Sequence, residues 1–377
     1  MINNQRIIDE FMALVQVDSE TKYEREICDV LTGKLKELGF SVEEDDAASV
    51  TGHGAGNLFA MLEANGSEKA PTIFFTSHMD TVVPGKGIKP HLDADGYIRS
   101  DGTTILGADD KAGLAAMFEA IRVIKEQNRP HGPIQLVITV GEESGLVGAS
   151  AIDSKRLKAK FGYALDSNGP IGDIAVAAPS QAKITIKIHG KSAHAGVNPE
   201  DGISAIQVAG KAISRMSLGR IDHETTANIG RFEGGGATNI VCDFVKLDAE
   251  ARSIVQDKLD KQVESMRETV LAVAAEFGAK AEFESKLIYP AFNFTDGDPV
   301  VELAKAAIEK IGRTPKLFHS GGGSDANVFN GHGVPTVNLA IGYEHIHTTN
   351  EQIKAEDLVK TAELVVAIIE QAAELTE

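Results

Sequence analysis

His78 and Asp80 stand two residues apart at the end of Thr72-Ile73-Phe74-Phe75-Thr76-Ser77, an apolar, β-branched run that predicts a buried strand. On an extended chain residues i and i+2 share a face, so an imidazole and a carboxylate emerge together at the strand's carboxyl end. That is where open α/β sheets hold their ligands. A pair of this kind also fits two polar residues meeting water, so its chemistry depends on what other segments bring. Gly107-Ala108-Asp109-Asp110-Lys111-Ala112-Gly113 opens a long helix, in whose first turn acids also serve as ordinary capping groups. Ile134 to Val140 is a continuous apolar strand ending in Gly141-Glu142-Glu143-Ser144-Gly145, and Tyr163-Ala164-Leu165 ends on Asp166. Near the end of the chain, Glu344-His345-Ile346-His347-Thr348 adds imidazole.

His78, Asp109, Glu143, Asp166 and His347 form a ligand set suited to two divalent cations, provided one carboxylate bridges them. Without cations the clustered acids would repel one another and be forced to take up protons. Glu142 is left over beside Glu143, and a free carboxylate next to an activated water is the expected general base. Asp80 can hydrogen-bond the back of His78 and fix its tautomer. The Gly321 to Gly323 loop before a helix could hold an anion through its N–H groups, but it lacks the Gly-Lys-Ser/Thr ending of a Walker motif.

The rest of the composition narrows the function classes. At 377 residues, with 42% hydrophobic and 24% charged, the chain predicts a globular protein of two or three domains with a large core. Lys+Arg 37 against Asp+Glu 55 gives a formal charge of -18, which repels phosphate backbones and anionic membranes, so no nucleic acid or membrane partner is expected. No 18-residue apolar run exists and the first residues carry no apolar signal core, so a cytoplasmic location is expected. Cys28 and Cys242 are too few for a disulfide framework and read as small core residues.

Several elements must position these residues. Thr21-Lys22-Tyr23-Glu24 reads as a capping box before a helix that ends at Gly39, and Ser41 to Glu43, Asn57 to Leu62 and Thr72 to Thr76 read as strands of a mixed sheet. His91 to Ile98 resembles the start of a calcium loop without its later ligands, so Asp95-Gly96 is read as a hairpin turn. From about 176 to 290 the rhythm changes. Strand Ala182 to His189, helix Ile203 to Met216, strands Thr226 to Phe232 and Ile240 to Ala249, helix Asp257 to Phe277 and strand Lys280 to Tyr289 give β-α-β-β-α-β, the ferredoxin-like order. Residues 1–175 and 291–377 then form the two parts of one α/β catalytic domain, with 176–290 inserted as a lid. Helix Val300 to Ile311, strand Val334 to Ile341 and a closing helix from Ala355 complete it. His53, His91, His131, His189, His223, His319 and His332 are read as surface or loop residues.

Ser77-His78-Met79-Asp80-Thr81-Val82, Gly107 to Gly113, Gly141 to Gly145, Ser192-Ala193-His194-Ala195-Gly196 and Gly322-Gly323-Ser324-Asp325 together resemble the motif series of the co-catalytic zinc peptidases of the M20 family, in particular its peptidase T branch. The resemblance spans essentially the whole chain. It implies that Asp109 bridges two metal ions, that His78 and Asp166 hold one and Glu143 and His347 the other, and that Glu142 is the base. His347 is preferred over His345 because His-Thr-Thr-Asn-Glu matches the family ending. It implies further that His194, Asn239, Arg252, Gly323 and Ser324 bind substrate, His194 in some relatives from a neighbouring subunit, which allows a homodimer through the inserted domain. The expected activity is hydrolysis of a terminal amide bond of short peptides, dependent on two divalent ions per chain, zinc first and cobalt or manganese as alternatives. An N-acyl amino acid deacylase is the alternative within the same chemistry, and a non-catalytic metal-binding protein the alternative outside it.

Overall fold

Strand Ile73–His78, buried along its whole length, runs parallel to Ile134–Thr139 on one side and to Phe161–Ser167 on the other. In the computed structural model, which describes residues 1–376, these strands form the middle of a mixed sheet. Leu58–Leu62 and Ser41–Glu44 continue it antiparallel beyond Ile134–Thr139, and Thr336–Ala340 continues it parallel beyond Phe161–Ser167. The central strands are near-continuous apolar runs because helices cover both faces. Ala108–Glu126 packs against Ala355–Ala373 and Asn4–Val15, where buried Glu119 accepts from Arg6 Nε at 2.6 Å and from the main-chain N–H of Asn3 at 2.9 Å.

The chain divides into two compact units. One holds Met1–Ala177, Phe294–Ser320 and the chain from Ser324 onward; the other holds Ala178–Asn293 with Gly321–Gly323. In the second, Thr225–Gly234, Phe244–Ser253, Ser180–His189 and Lys280–Tyr289 lie side by side in that order, each antiparallel to its neighbour. Helices Ala205–Arg215 and Gln256–Glu276 bury Val208 and Val270 with Ile186, Val245 and Leu247 of that sheet. The element sequence is β-α-β-β-α-β with a short extra edge strand, Gly219–Arg220. Among the described residues no helix is long and apolar enough to cross a membrane.

Four local expectations change. Thr21 caps nothing: the helix is Arg25–Glu37 with Glu24 at its N-cap and no side-chain cap bond, and the Glu24 carboxylate instead accepts from the N–H groups of Lys22 at 2.8 Å and Gly54 at 2.9 Å. The strand expected from Ile240 begins at Phe244, because Ile240 and Val241 pair with the 193–194 segment rather than with the sheet. Asp109 (φ -83, ψ 96) and Asp110 (φ -126, ψ 33) are not helical, so first-turn capping does not describe them. His53 and His131 are buried rather than on the surface.

Candidate metal centre

Three parallel strands deliver their carboxyl ends to one place. His78 closes the first, Gly141 to Gly145 follows the second and Asp166 lies near the end of the third. A small antiparallel sheet, Tyr343–Glu344, Gln352–Lys354, Tyr97–Arg99 and His91–Leu92, carries the loop with His347 to the same end. Its Asp95-Gly96 hairpin forms as expected, and Arg99 takes up Asp93 and Asp95. His347 has φ 63, a left-handed conformation uncommon for a residue with a Cβ.

Asp109 sits between the two imidazoles. Its Oδ1 is 2.9 Å from His78 Nε2 and its Oδ2 is 3.2 Å from His347 Nε2. His78 Nε2 is also 3.8 Å from Asp166 Oδ1, and His347 Nε2 is 3.0 Å from Glu143 Oε1. The donor atoms thus fall into two groups, His78 with Asp109 and Asp166, and Asp109 with Glu143 and His347, each within 4.8 Å and sharing Asp109. Four ligands at about 2.1 Å from a tetrahedral zinc lie about 3.4 Å apart, so these spacings suit a cation at each group. Glu142 is grouped with His78 and Glu143 on the same scale.

The charges of these groups bear on what the site can hold. Burial opposes the charge of Asp109, yet His347 and His78 hold its carboxyl far below the ordinary range. Burial likewise disfavours an imidazolium at His78, but Asp109, Asp80 and Asp166 outweigh it and hold the ring well above its usual value. Asp109 and Glu143 hold His347 up to about 10. Burial, with neighbouring Asp110 and Asp109, pushes Asp166 well up, and burial with Asp325 and Glu143 does the same to Glu142. His78 and His347 are thus drawn toward their cationic forms and Asp166 and Glu142 toward their neutral ones, so the cluster favours added positive charge and the donor set fits divalent ions. Asp222-His223-Glu224 also groups three donors, but there Lys258 already supplies the cation, at 3.1 Å from Asp222 and 2.6 Å from Glu224.

The supporting contacts differ in part from expectation. His78 Nδ1 meets the main-chain carbonyl of Asp80 at 2.9 Å, closer than its carboxylate at 3.5 Å. The Asp80 carboxylate instead accepts the N–H groups of Glu142 at 3.1 Å and Glu143 at 3.2 Å. Sequence reasoning passed over Tyr343, whose hydroxyl donates to Asp166 Oδ1 at 3.0 Å, and Glu351, whose carboxylate accepts from Leu106, Gly107 and Asp109. Glu351 could have been found, since it ends the same His-Thr-Thr-Asn-Glu run as His347. Tyr343 had no sequence signal.

The remaining candidates lie elsewhere. His194, exposed in the second unit, accepts at Nδ1 from the N–H groups of Gly196 and Val197, both 3.1 Å, and Ala195 donates to the carbonyl of Asn239 at 2.9 Å, so the His194 and Asn239 loops are neighbours. In the same unit Arg252 is held by Glu250 at 2.9 Å and lies 3.5 Å from the Tyr289 hydroxyl, which also abuts Gly323. Ser324, in the first unit, forms a capping box with Asn327 at the start of Asp325–Gly331, and its hydroxyl also accepts from Asn338 at 3.2 Å.

Side chains of metal-ligating type gathered at the strand ends of a mixed sheet define an α/β enzyme with a metal-site constellation. Residues 74–371 match the model of peptidase family M20/M25/M40, and the chain belongs to that family. Its sequence is 62% identical to YqjE, an uncharacterized protein of Bacillus subtilis (strain 168), over 99% of this chain and 100% of that one. The crystal structure of aminopeptidase PepT from Bacillus cereus ATCC 10987 superposes with TM-score 0.95 at 66% identity, covering 99% of this chain and 100% of that one. A tripeptidase from Staphylococcus aureus subsp. aureus Mu50 superposes with TM-score 0.97 at 50% identity, and each chain is covered fully.

Proposed function

We propose that this chain is a metal-dependent aminopeptidase of the cytoplasm that hydrolyses a terminal amide bond of short peptides. The observation that carries the reading is Asp109 offering one oxygen to His78 and the other to His347, with Glu142 beside them. The names of the similar solved structures, an aminopeptidase and a tripeptidase, support the substrate class. His78 and Asp166 would hold one divalent ion, Glu143 and His347 a second, and Asp109 would serve both. Zinc, or cobalt or manganese in its place, would supply Lewis-acid polarisation and lower the pKa of the attacking water.

Glu142 takes the proton of that water as its oxygen bonds to the scissile carbonyl carbon. It returns the proton to the amine as the C–N bond breaks. Asp80 holds the turn that aims Glu142, through the two N–H groups it accepts. His194, Asn239, Arg252, Gly323 and Ser324 are assigned to the substrate, and a homodimer would form through the second unit.

The test is a substrate panel of tripeptides, dipeptides and N-acetyl amino acids, run on metal-loaded and on chelated protein. Cleavage of tripeptides that stops on chelation and returns with zinc, cobalt or manganese is the expected result. Preference for N-acetyl amino acids would replace the peptidase with a deacylase. No hydrolysis of any amide by metal-loaded protein would overturn both.

A further inference from the structure

The turn carrying Glu142 and Glu143 is gripped from behind by a loop of the same unit, Gly52 to Asn57. Asn57 accepts from the N–H of Val140 at 3.1 Å and donates to the carbonyl of Gly148 at 3.0 Å, so it ties the two flanks together. His53 lies directly under the turn, buried, with Nε2 3.1 Å from Ser144 Oγ and 3.5 Å from Thr21 Oγ1. A Cβ on Gly141, which has φ +59, would fall 2.6 Å from the same His53 nitrogen, so the ring packs against the first residue of the turn while hydrogen-bonding the fourth.

Further contacts link His53 to the segment of Asp80. The Asp80 carboxylate accepts the N–H groups of Glu142 and Glu143, and Thr21 is tied to the residue beside it, its own N–H donating to the carbonyl of Thr81 at 2.9 Å. The Thr21 and Ser144 hydroxyls are in short contact with each other, and both face His53 Nε2. A continuous set of contacts therefore runs from His53 through Ser144 and Thr21 to the segment of Asp80, whose carboxylate accepts from the amides of Glu142 and Glu143.

We propose that His53 is a positioning residue, which through Ser144, Thr21 and Asp80 fixes the orientation of the Glu142 and Glu143 carboxylates. It touches neither substrate nor metal. The inference rests on the roles given above to Glu142 and Glu143, and it adds a cause for their geometry.

The experiment compares His53→Ala, Ser144→Ala, their double variant and His53→Gln, whose amide nitrogen can reach the position of Nε2. Two readouts are taken: cobalt(II) affinity and visible spectrum by titration of metal-free protein, and kcat and KM on a tripeptide. Outer-shell partners of metal sites typically cost 10 to 100-fold in affinity or activity when removed. His53→Ala and Ser144→Ala should each lower kcat about tenfold or more with little change in KM, and weaken one cobalt site by about tenfold with an altered spectrum. The double variant should be no worse than either, because both remove one chain of bonds, and His53→Gln should recover most of the loss. Wild-type cobalt binding and kcat in His53→Ala, losses that add in the double variant, or a Gln variant as poor as Ala would each overturn the proposal. If His53→Ala does not fold, Ser144→Ala decides by the same cobalt titration. Should the wild type cleave no peptide, the peptidase reading falls, and the cobalt titrations still decide the role of His53.

Discussion

Glu351 holds Asp109 by its backbone: the N–H of Asp109 donates to Glu351 Oε1 at 3.0 Å, across 242 residues of chain. Oε2 accepts from Leu106 and Gly107, both at 2.8 Å, and the side chain is 2% exposed. One buried carboxylate thus satisfies three N–H groups at the non-helical entry to Ala108–Glu126. Glu351→Ala leaves those donors without an acceptor, at about 1–3 kcal/mol for each group that water cannot reach. The expected result is a lower melting temperature and metal affinity weakened about 10 to 100-fold. Glu351→Gln keeps one oxygen and should lose less of both. Equal losses in the two variants, measured by melting and zinc titration, would contradict this account.

Metal-free protein should lose stability as pH rises, and metal should remove that dependence. Burial foremost holds Asp325 up to about 6 and Glu351 up to about 7, against ordinary values of 3.8 and 4.5. Asp109 and Glu143 hold His347 up to about 10 from 6.5. Each group keeps its proton to higher pH when folded, so the folded state binds more protons than the unfolded one and stability falls across each interval. Asp80 and Asp109, whose values are lowered, act in the opposite sense only at the acid end, below the ordinary value of 3.8. Divalent ions displace these protons. The gap in melting temperature between loaded and chelated protein should therefore widen from pH 5 to 9. Calorimetry in buffers of different ionisation enthalpy should show proton release on binding; a constant gap with no release would count against it.

What the sequence made legible was local. Ile73–His78 and Ile134–Thr139 are apolar because both faces of a parallel strand are covered, and the residues that end them had to meet solvent or a ligand. The β-α-β-β-α-β order of the second unit followed from periodicity in the same way. What stayed hidden was contact between distant segments. The partners of Glu351 are main-chain N–H groups, which carry no residue signature. His53 reads as a loop histidine until the turn at Gly141 is folded over it. Ile240 and Val241 read as strand because they are apolar, although Ile240 is 52% exposed beside the His194 loop.

Gly323 makes a separate prediction inside the second unit. A Cβ there would lie 2.3 Å from the Tyr289 ring and 2.6 Å from its hydroxyl, so the ring must move. Overpacking of this kind costs about 1–3 kcal/mol. It would also draw the hydroxyl away from Arg252, 3.5 Å distant. If Arg252 holds the substrate, Gly323→Ala should raise KM several-fold more than it lowers kcat, with a modest drop in melting temperature. An unchanged KM would separate this cluster from substrate binding.

Glu142 and Glu143 give the most direct test of the chemistry, because they are adjacent, of one type, and both tied by their N–H groups to Asp80 at 3.1 and 3.2 Å. A solvated acidic turn would predict small and similar effects from changing either. Their side chains have different surroundings: Glu143 Oε1 is 3.0 Å from His347 Nε2, whereas Glu142 is grouped with His78 and Glu143. Glu143→Gln should weaken one metal site, since a neutral amide is a poorer ligand for a dication than a carboxylate. Glu142→Gln should keep the fold and two ions per chain, yet lower kcat by roughly 10² to 10⁴-fold, because the proton of the attacking water has lost its acceptor. Its acid limb in the pH profile should go as well. Metal analysis beside kinetics separates the two variants. Near-normal turnover in Glu142→Gln, or a loss explained wholly by missing metal, would remove Glu142 from the role of base.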